Sequence, residues 1–218
     1  MKIDHAFPIP IVTLELSKDA VADTDLKVRD YIKNKMPGAK DHTNELLTTY
    51  YHDNKNFLGS INAIPILEEI NNHVRGFLEL RGFNPNCYIE ITSWLQLNQP
   101  GSLFNRHDHY GACVSGVFYL QVPEKSGNLK FHNPLEPRRA SDVYFERIRT
   151  GENQYNYDYI EYEPKVGEMI MFESWLQHSV ERNESTEDRI SVSYNIWADI
   201  DDVVKTVRTM RDDNGAKS

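Results

Sequence analysis

From residue 87 onward the chain is written in short alternating runs, and that grammar restricts the fold more than any other feature. CYIEITSWLQLNQPG sets Ile89, Ile91, Ser93, Leu95 and Leu97 against Tyr88, Glu90, Thr92, Trp94 and Gln96 before a turn at Pro100-Gly101. Further runs follow at CVSGVFYLQV, NLKFHNP, YIEYEP, EMIMFES and RISVSYNIWA. Short strands broken by Gly, Pro and Asn, with no long helix between them, predict an antiparallel sandwich or barrel. The stretch 138–158 breaks the rhythm and is expected to be a surface loop or lid.

The first 86 residues differ. Residues 18–35 carry Val21, Leu26, Val28, Tyr31 and Ile32 on a helical stripe that Met36-Pro37-Gly38 should stop. Residues 64–80 carry Ile64, Leu67, Ile70, Val74, Phe77 and Leu78 at a similar period, with Pro65 tolerable in the first turn and Gly82 past the end. The expected organisation is a single domain: an N-terminal helical/β annex (1–86), a β core (87–198) and a C-terminal tail (199–218), in which Val203, Val204 and Val207 suggest a short helix.

Composition narrows the function classes. A formal net charge of -9 argues against a protein that neutralises many phosphates, so nucleic acid is not the expected partner. The start MKIDHAFPIPIVTLEL lacks an apolar run of signal-peptide length, and no later run has the ~18 apolar residues of a membrane span, so a cytoplasmic, non-membrane protein is expected. The cysteines, Cys87 and Cys113, are too few for a disulfide framework and are expected to be buried or partly buried thiols.

Eight histidines are present, and a lone histidine is usually a surface or satisfied core residue. His5, His42, His52, His73 and His132 take that reading. In FNRHDHYGACVSGVFYL, however, His107 and His109 lie two residues apart, on one face of a strand, with Asp108 on the other. His178 follows the apolar run EMIMF, and Arg189, Ser191 and Ser193 then share a strand face. Two histidines at strand spacing plus a distant third can occupy neighbouring vertices around one divalent metal and leave others open, which suits iron(II). Trp94 and Trp197 are assigned to the core for their area.

The order HDH, SGVFYLQVPEKSGNLKFHNP, VGEMIMFESWLQHSV and DRISVSYNIW resembles the oxygenases that use Fe(II) and 2-oxoglutarate. More narrowly it is similar to a family of such oxygenases found in bacteria and phages, over about residues 87–198. The resemblance implies a mainly β fold, a double-stranded β-helix (jelly-roll, cupin-like) core packed against N-terminal helices. It implies Fe(II), 2-oxoglutarate and O2 as cofactors and co-substrates, and decarboxylation to succinate coupled to oxidation of a substrate C–H bond. The substrate is expected to be a small molecule or peptide, and the oligomeric state is open, a dimer included. Carried over residue by residue, His107 and His178 match iron ligands of the H-x-D/E…H pattern, and His109 stands where most relatives have a carboxylate. Ligation by His107, Asp108 and His178 through a bulge is an alternative, as is a frame starting at His109 that puts Gly111 in the carboxylate's place. Arg189 is implied as the anchor for the distal carboxylate of 2-oxoglutarate, with Ser191 and Tyr119 beside it, and Val117, Leu129 and Val180 as apolar walls. No catalytic side chain beyond the metal site is required. The rival reading is a non-redox, cupin-like metal or small-molecule binding protein. The aromatic residues Tyr144, Phe145, Tyr155, Tyr157 and Tyr159 are candidates for substrate contact or for the loop's own packing.

Overall fold

The alternating runs become strands at the expected places, and the two periodic segments become helices. The computed structural model describes residue 2 and residues 7–35, 47–51, 55–135, 144 and 147–198. Met36-Pro37-Gly38, His5, His42, His52, Phe145 and the tail 199–218 lie outside them. Helix α1 spans Lys18–Lys35, α2 Phe57–Ser60 and α3 Ile64–Leu80. The strands are β1 Ile11–Glu15, β2 Leu47–Thr48, β3 Ile89–Asn98, β4 Phe104–His107, β5 Val114–Gln121, β6 Leu129–His132, β7 Tyr159–Tyr162, β8 Glu168–Glu173, β9 His178–Val180 and β10 Arg189–Ala198.

They form a six-stranded sheet in the order β1-β8-β5-β10-β3-β2 and a four-stranded sheet in the order β4-β9-β6-β7, paired antiparallel throughout. This is the double-stranded β-helix architecture. β1, from the N-terminal segment, extends the large sheet by pairing with β8. Of the described residues of the 138–158 stretch, Tyr144, Ile148, Tyr155 and Tyr157 are exposed and Arg149, Asn156 and Asp158 half-buried, in keeping with a surface loop.

Two cores lie on opposite faces of the large sheet. On the outer face Leu95, Leu97, Phe118, Met169, Met171 and Val192 pack against α1 and α3. On the inner face Val117, Tyr119, Ile170 and Phe172 pack against Leu129 and Phe131 of the small sheet. The helical stripes need correction in detail: α1 buries Ala20, Thr24 and Val28 and leaves Leu26 exposed, and α3 buries Ile66 and leaves Ile64 exposed. Spacing of i, i+4 and i+8 selects the α1 face, and two of those three residues are too small or polar to stand out in an apolar count. The thiol expectation is corrected too: Cys87 is half-buried, but Cys113, in the turn before β5, is exposed.

The inner face of β10 carries the site. Its even positions, Ile190, Val192, Tyr194 and Ile196, face the helices, so Arg189, Ser191, Ser193 and Asn195 face inward. All four polar residues are buried. Tyr194 is accommodated because its cross-strand partner is Gly116, where a Cβ would collide with the tyrosine ring.

Candidate metal centre and co-substrate cleft

His107 ends β4 and pairs directly with His178 at the start of β9. His109 lies two residues beyond, its backbone N–H held by Ser174 O at 2.9 Å and its carbonyl accepting from Ala112 N in a turn through Gly111. The three imidazoles converge, each offering a ring nitrogen within 4.8 Å of the other two. His107 Nδ1 donates to Asn105 O at 2.7 Å and His178 Nδ1 to Leu176 O at 3.0 Å, which leaves both Nε2 lone pairs to a shared point. His109 Nε2 lies 3.2 Å from His178 Nε2. Among the described residues these three form the one group able to hold a metal ion. Asp108 is exposed and turned to Gln177 Nε2 at 3.5 Å, away from the cluster.

Burial sets the electrostatics. His178 is pushed down to about 3 and His109 to about 4, in each case first by desolvation and next by the charge of His107. Both rings are therefore neutral at pH 7, the form a metal requires. The Nδ1 of His109 has no carbonyl partner like those of the other two; it lies 3.4 Å from the Asn195 amide. A metal on Nε2 puts the ring proton on Nδ1, and an amide turned to present Oδ1 would accept it. Asn195 also contacts Ser115 Oγ at 2.8 Å, and Ser115 contacts Ser174 Oγ at 2.8 Å, so the amide belongs to a buried polar chain.

The triad borders a cleft whose lining includes Tyr119, Arg189, Ser191 and Ser193 together with Val117, Leu129 and Val180. The three histidines, the three anchor candidates and the three apolar walls singled out from the sequence all line this cleft, and the alternative ligand Asp108 does not. Arg189 is 2% exposed, yet among the described residues no carboxylate pairs with it. Its Nη1 donates to Ser126 O at 3.1 Å and Gly127 O at 2.8 Å, and its guanidinium lies 5.9 Å from the Tyr119 ring. Gly127 has a positive φ, and a Cβ there would strike the Glu181 carbonyl, so the loop that presents these two oxygens needs glycine. The Arg189 Nε, the Ser126 hydroxyl and both amide atoms of Asn98, the cross-strand neighbour of Arg189, are buried without a protein partner among the described residues. Burial draws the Arg189 guanidinium below its ordinary value while Tyr119 opposes that shift, and the phenol is itself pushed up to about 12. A guanidinium still retains its proton, so the cleft ends in a buried cation lacking an anion.

Reading the sequence missed several lining residues. Gln96, Ser115 and Phe104 also line the cleft, as does Ser193 from the strand face it shares with Arg189, its Oγ donating to Gln96 Oε1 at 3.0 Å. Their signal was available for β10 and β3, where polar residues hold every second position. The tryptophan assignment is corrected: Trp94 is buried but lines the cleft, its ring 5.7 Å from that of His109, and Trp197 is half-buried on a neighbouring cavity. Both sit on the inner face of their strands, so their area serves the site's walls.

A family profile described as "Putative 2OG-Fe(II) oxygenase" matches residues 92–195. No curated protein matches the chain. Among solved structures the chain is similar to AviO1 from Streptomyces viridochromogenes Tue57, at 12% identity over 87% of this chain and 90% of that one, with a TM-score of 0.59. It is similar to a prolyl hydroxylase from Trichoplax adhaerens, solved with a hypoxia inducible factor oxygen degradation domain peptide fragment, at 14% identity over 86% and 83% with a TM-score of 0.56. It is similar also to a Pseudomonas putida prolyl-4-hydroxylase, at 15% identity over 87% and 92% with a TM-score of 0.52. At such identities the likeness to these structures is one of fold.

Proposed function

We propose that the chain is a 2-oxoglutarate/Fe(II) oxygenase, that His107, His109 and His178 are its iron ligands and that Arg189, with Ser191 and Tyr119, holds the far carboxylate of 2-oxoglutarate. The observation that carries the reading is the pairing, in one cleft, of three convergent imidazoles with a buried arginine that has no carboxylate partner among the described residues. The metal supplies the oxygen chemistry: O2 and 2-oxoglutarate are consumed, CO2 leaves, one oxygen atom ends in succinate and the other oxidises a substrate C–H bond.

This chain's residues position and shield. Three neutral histidines leave a divalent ion at a formal +2, against +1 with a carboxylate ligand, and a dianionic co-substrate offsets that charge. Arg189 offers N–H donors to the far carboxylate, and the Ser191 hydroxyl and Tyr119 phenol flank it as further donors. Val117, Leu129 and Val180 exclude water from the space between. No side chain serves as nucleophile or general base.

We take residues 1–86 as an annex whose helices back the large sheet, and 87–198 as the oxygenase core. Among the described residues no helix is long and apolar enough to cross a membrane. Two free thiols suit the reducing cytoplasm, where we place the protein's action, on a small-molecule or peptide substrate. The test is anaerobic titration of Fe(II) and then 2-oxoglutarate, followed by succinate measurement in air. Saturable binding of both, with slow succinate release that His178→Ala abolishes, is expected. Metal binding without 2-oxoglutarate binding or succinate would instead favour a non-redox binding protein.

A further inference from the structure

Beyond Trp94 lies a second, larger cavity, open to solvent and lined by Thr49, Tyr50, Lys55, Glu90, Thr92, Ser93, Trp94, Asn195 and Trp197. Strand register explains its position. The inward residues of β10 run Arg189, Ser191, Ser193, Asn195, Trp197, and their partners on β3 are Asn98, Gln96, Trp94, Thr92 and Glu90. The first pair lies at the co-substrate end and the middle pairs border the triad, so the last two pairs lie past the metal ligands. Trp94 lines both cavities, and Asn195 lines the second while touching His109.

The chemistry of this cavity is mixed in a particular way. Tyr50 meets Trp94 edge-on, with centroids 5.1 Å apart at 76°, and Trp197 is fixed by its indole N–H donating to Thr92 Oγ1 at 3.2 Å. These rings form rigid apolar walls. Several polar groups are already engaged internally: Thr49 Oγ1 accepts from Leu95 N, and Ser93 Oγ accepts from Leu58 N. The charged groups on the cavity are one cation and one anion, Lys55 and Glu90, both exposed, with the Lys55 ammonium 5.8 Å from the Tyr50 ring. Neither has an ion-pair partner among the described residues, and the two do not pair with each other.

Resting on the oxygenase reading, we propose that the cavity receives the substrate and that this substrate is a zwitterionic α-amino acid with an apolar side chain. Its ammonium pairs with Glu90 and its carboxylate with Lys55. The side chain lies among Tyr50, Trp94 and Trp197, directed past Asn195 toward the triad. Two opposite charges on one cavity, neither ion-paired among the described residues, match a zwitterion, and the aromatic rings on the same cavity match an apolar side chain.

The test is calorimetric titration of L-leucine and L-phenylalanine, each also as the N-acetyl, the amide and the doubly blocked derivative, into anaerobic protein holding Fe(II) and 2-oxoglutarate. Saturable binding of a free amino acid is expected, weakened at least about tenfold by blocking either end, as loss of a charge-assisted contact predicts. Glu90→Gln should remove the sensitivity to N-acetylation and Lys55→Met the sensitivity to amidation. Equal binding of the doubly blocked form would overturn the proposal in favour of a peptide, and no binding of either amino acid would overturn it outright. Should 2-oxoglutarate bind and succinate form while neither amino acid binds, the substrate class fails and the oxygenase reading stands. Amino acid binding by a protein that takes up neither iron nor 2-oxoglutarate would sink the oxygenase reading, and with it the placement of a substrate here.

Discussion

Replacing Arg189 by lysine keeps a cation at the end of the cleft and removes the planar fork, so it isolates what the guanidinium shape contributes. Arg189 Nη1 already serves two loop carbonyls, Ser126 O and Gly127 O, while Nε is buried with no protein partner. A lysine ammonium has three donors. Two are needed to keep those carbonyls satisfied, so one remains for the carboxylate of 2-oxoglutarate in place of the guanidinium's remaining N–H groups. Losing one charge-assisted hydrogen bond in this buried setting costs about 1.5–3 kcal/mol, roughly ten- to a hundredfold in affinity. Iron affinity should hardly change, because Arg189 is not among the converging ligands. Calorimetric titration of Fe(II) and then 2-oxoglutarate into anaerobic wild type and Arg189→Lys measures both quantities. An unchanged 2-oxoglutarate curve would refute the anchoring role, and a parallel loss of iron binding would mean that the substitution had disturbed the whole cleft.

Three further outcomes follow from the same geometry. His178→Ala should abolish Fe(II) binding and keep a cooperative melt, because the sheets are held by strand pairing and two apolar cores, as circular dichroism with and without metal would show. Asn195→Leu should weaken Fe(II) by roughly ten- to a hundredfold and Asn195→Asp should not, since the aspartate can still accept the His109 Nδ1 proton; competition with a chelator reads both. For pH, His109 and His178 are held at about 4 and about 3, below the ~6.5 of a free imidazole, so the unfolded chain binds more protons than the folded one as pH falls from ~6.5 toward ~3. Their contribution to stability is thus fully present above ~6.5 and declines below it, by about 2 kcal/mol per residue at pH 5, so the melting temperature of chelator-treated protein should drop and His109→Gln should drop less. Protons should compete with Fe(II) for these two nitrogens only near and below pH 4, which titration of Fe(II) at pH 7, 5 and 4 would show.

The strands and both long helices were legible because each rests on local periodicity. RISVSYNIWA announces a two-faced strand on its own, and residues 18–35 and 64–80 announce helices of the observed length. The converging histidines were legible only up to their alternatives. Strand alternation separates Asp108 from its two neighbours, but a bulge could have reversed that, and the turn that swings His109 over Ser174 O depends on Gly111 and on contacts between β5 and β8. The pairing of His107 with His178 joins residues 71 apart, through a register that no local pattern encodes. Trp94 was misread for a related reason: area predicts that a tryptophan is buried, but which of two buried faces it takes depends on the parity of its position in β3, here shared with Gln96 and Thr92 of the site.

The burial of polar residues on β10 finally separates a site from a merely tolerant core. Arg189, Ser191, Ser193 and Asn195 are each less than a tenth exposed, and an apolar residue at any of these positions would avoid a desolvation cost. Ser193 and Asn195 recover part of it through Gln96 and Ser115. Arg189 recovers only part through two neutral carbonyls, since neither supplies the opposite charge that a buried cation requires. In the proposed reading a bound dianion would complete the compensation at both ends, one carboxylate meeting Arg189 and the other the metal charge held by three neutral imidazoles. The arrangement therefore predicts that binding is coupled: 2-oxoglutarate should tighten Fe(II), and Fe(II) should tighten 2-oxoglutarate by the same factor, because the linkage is reciprocal. Independent affinities in the two orders of addition would show that the two ends of the cleft do not share a ligand.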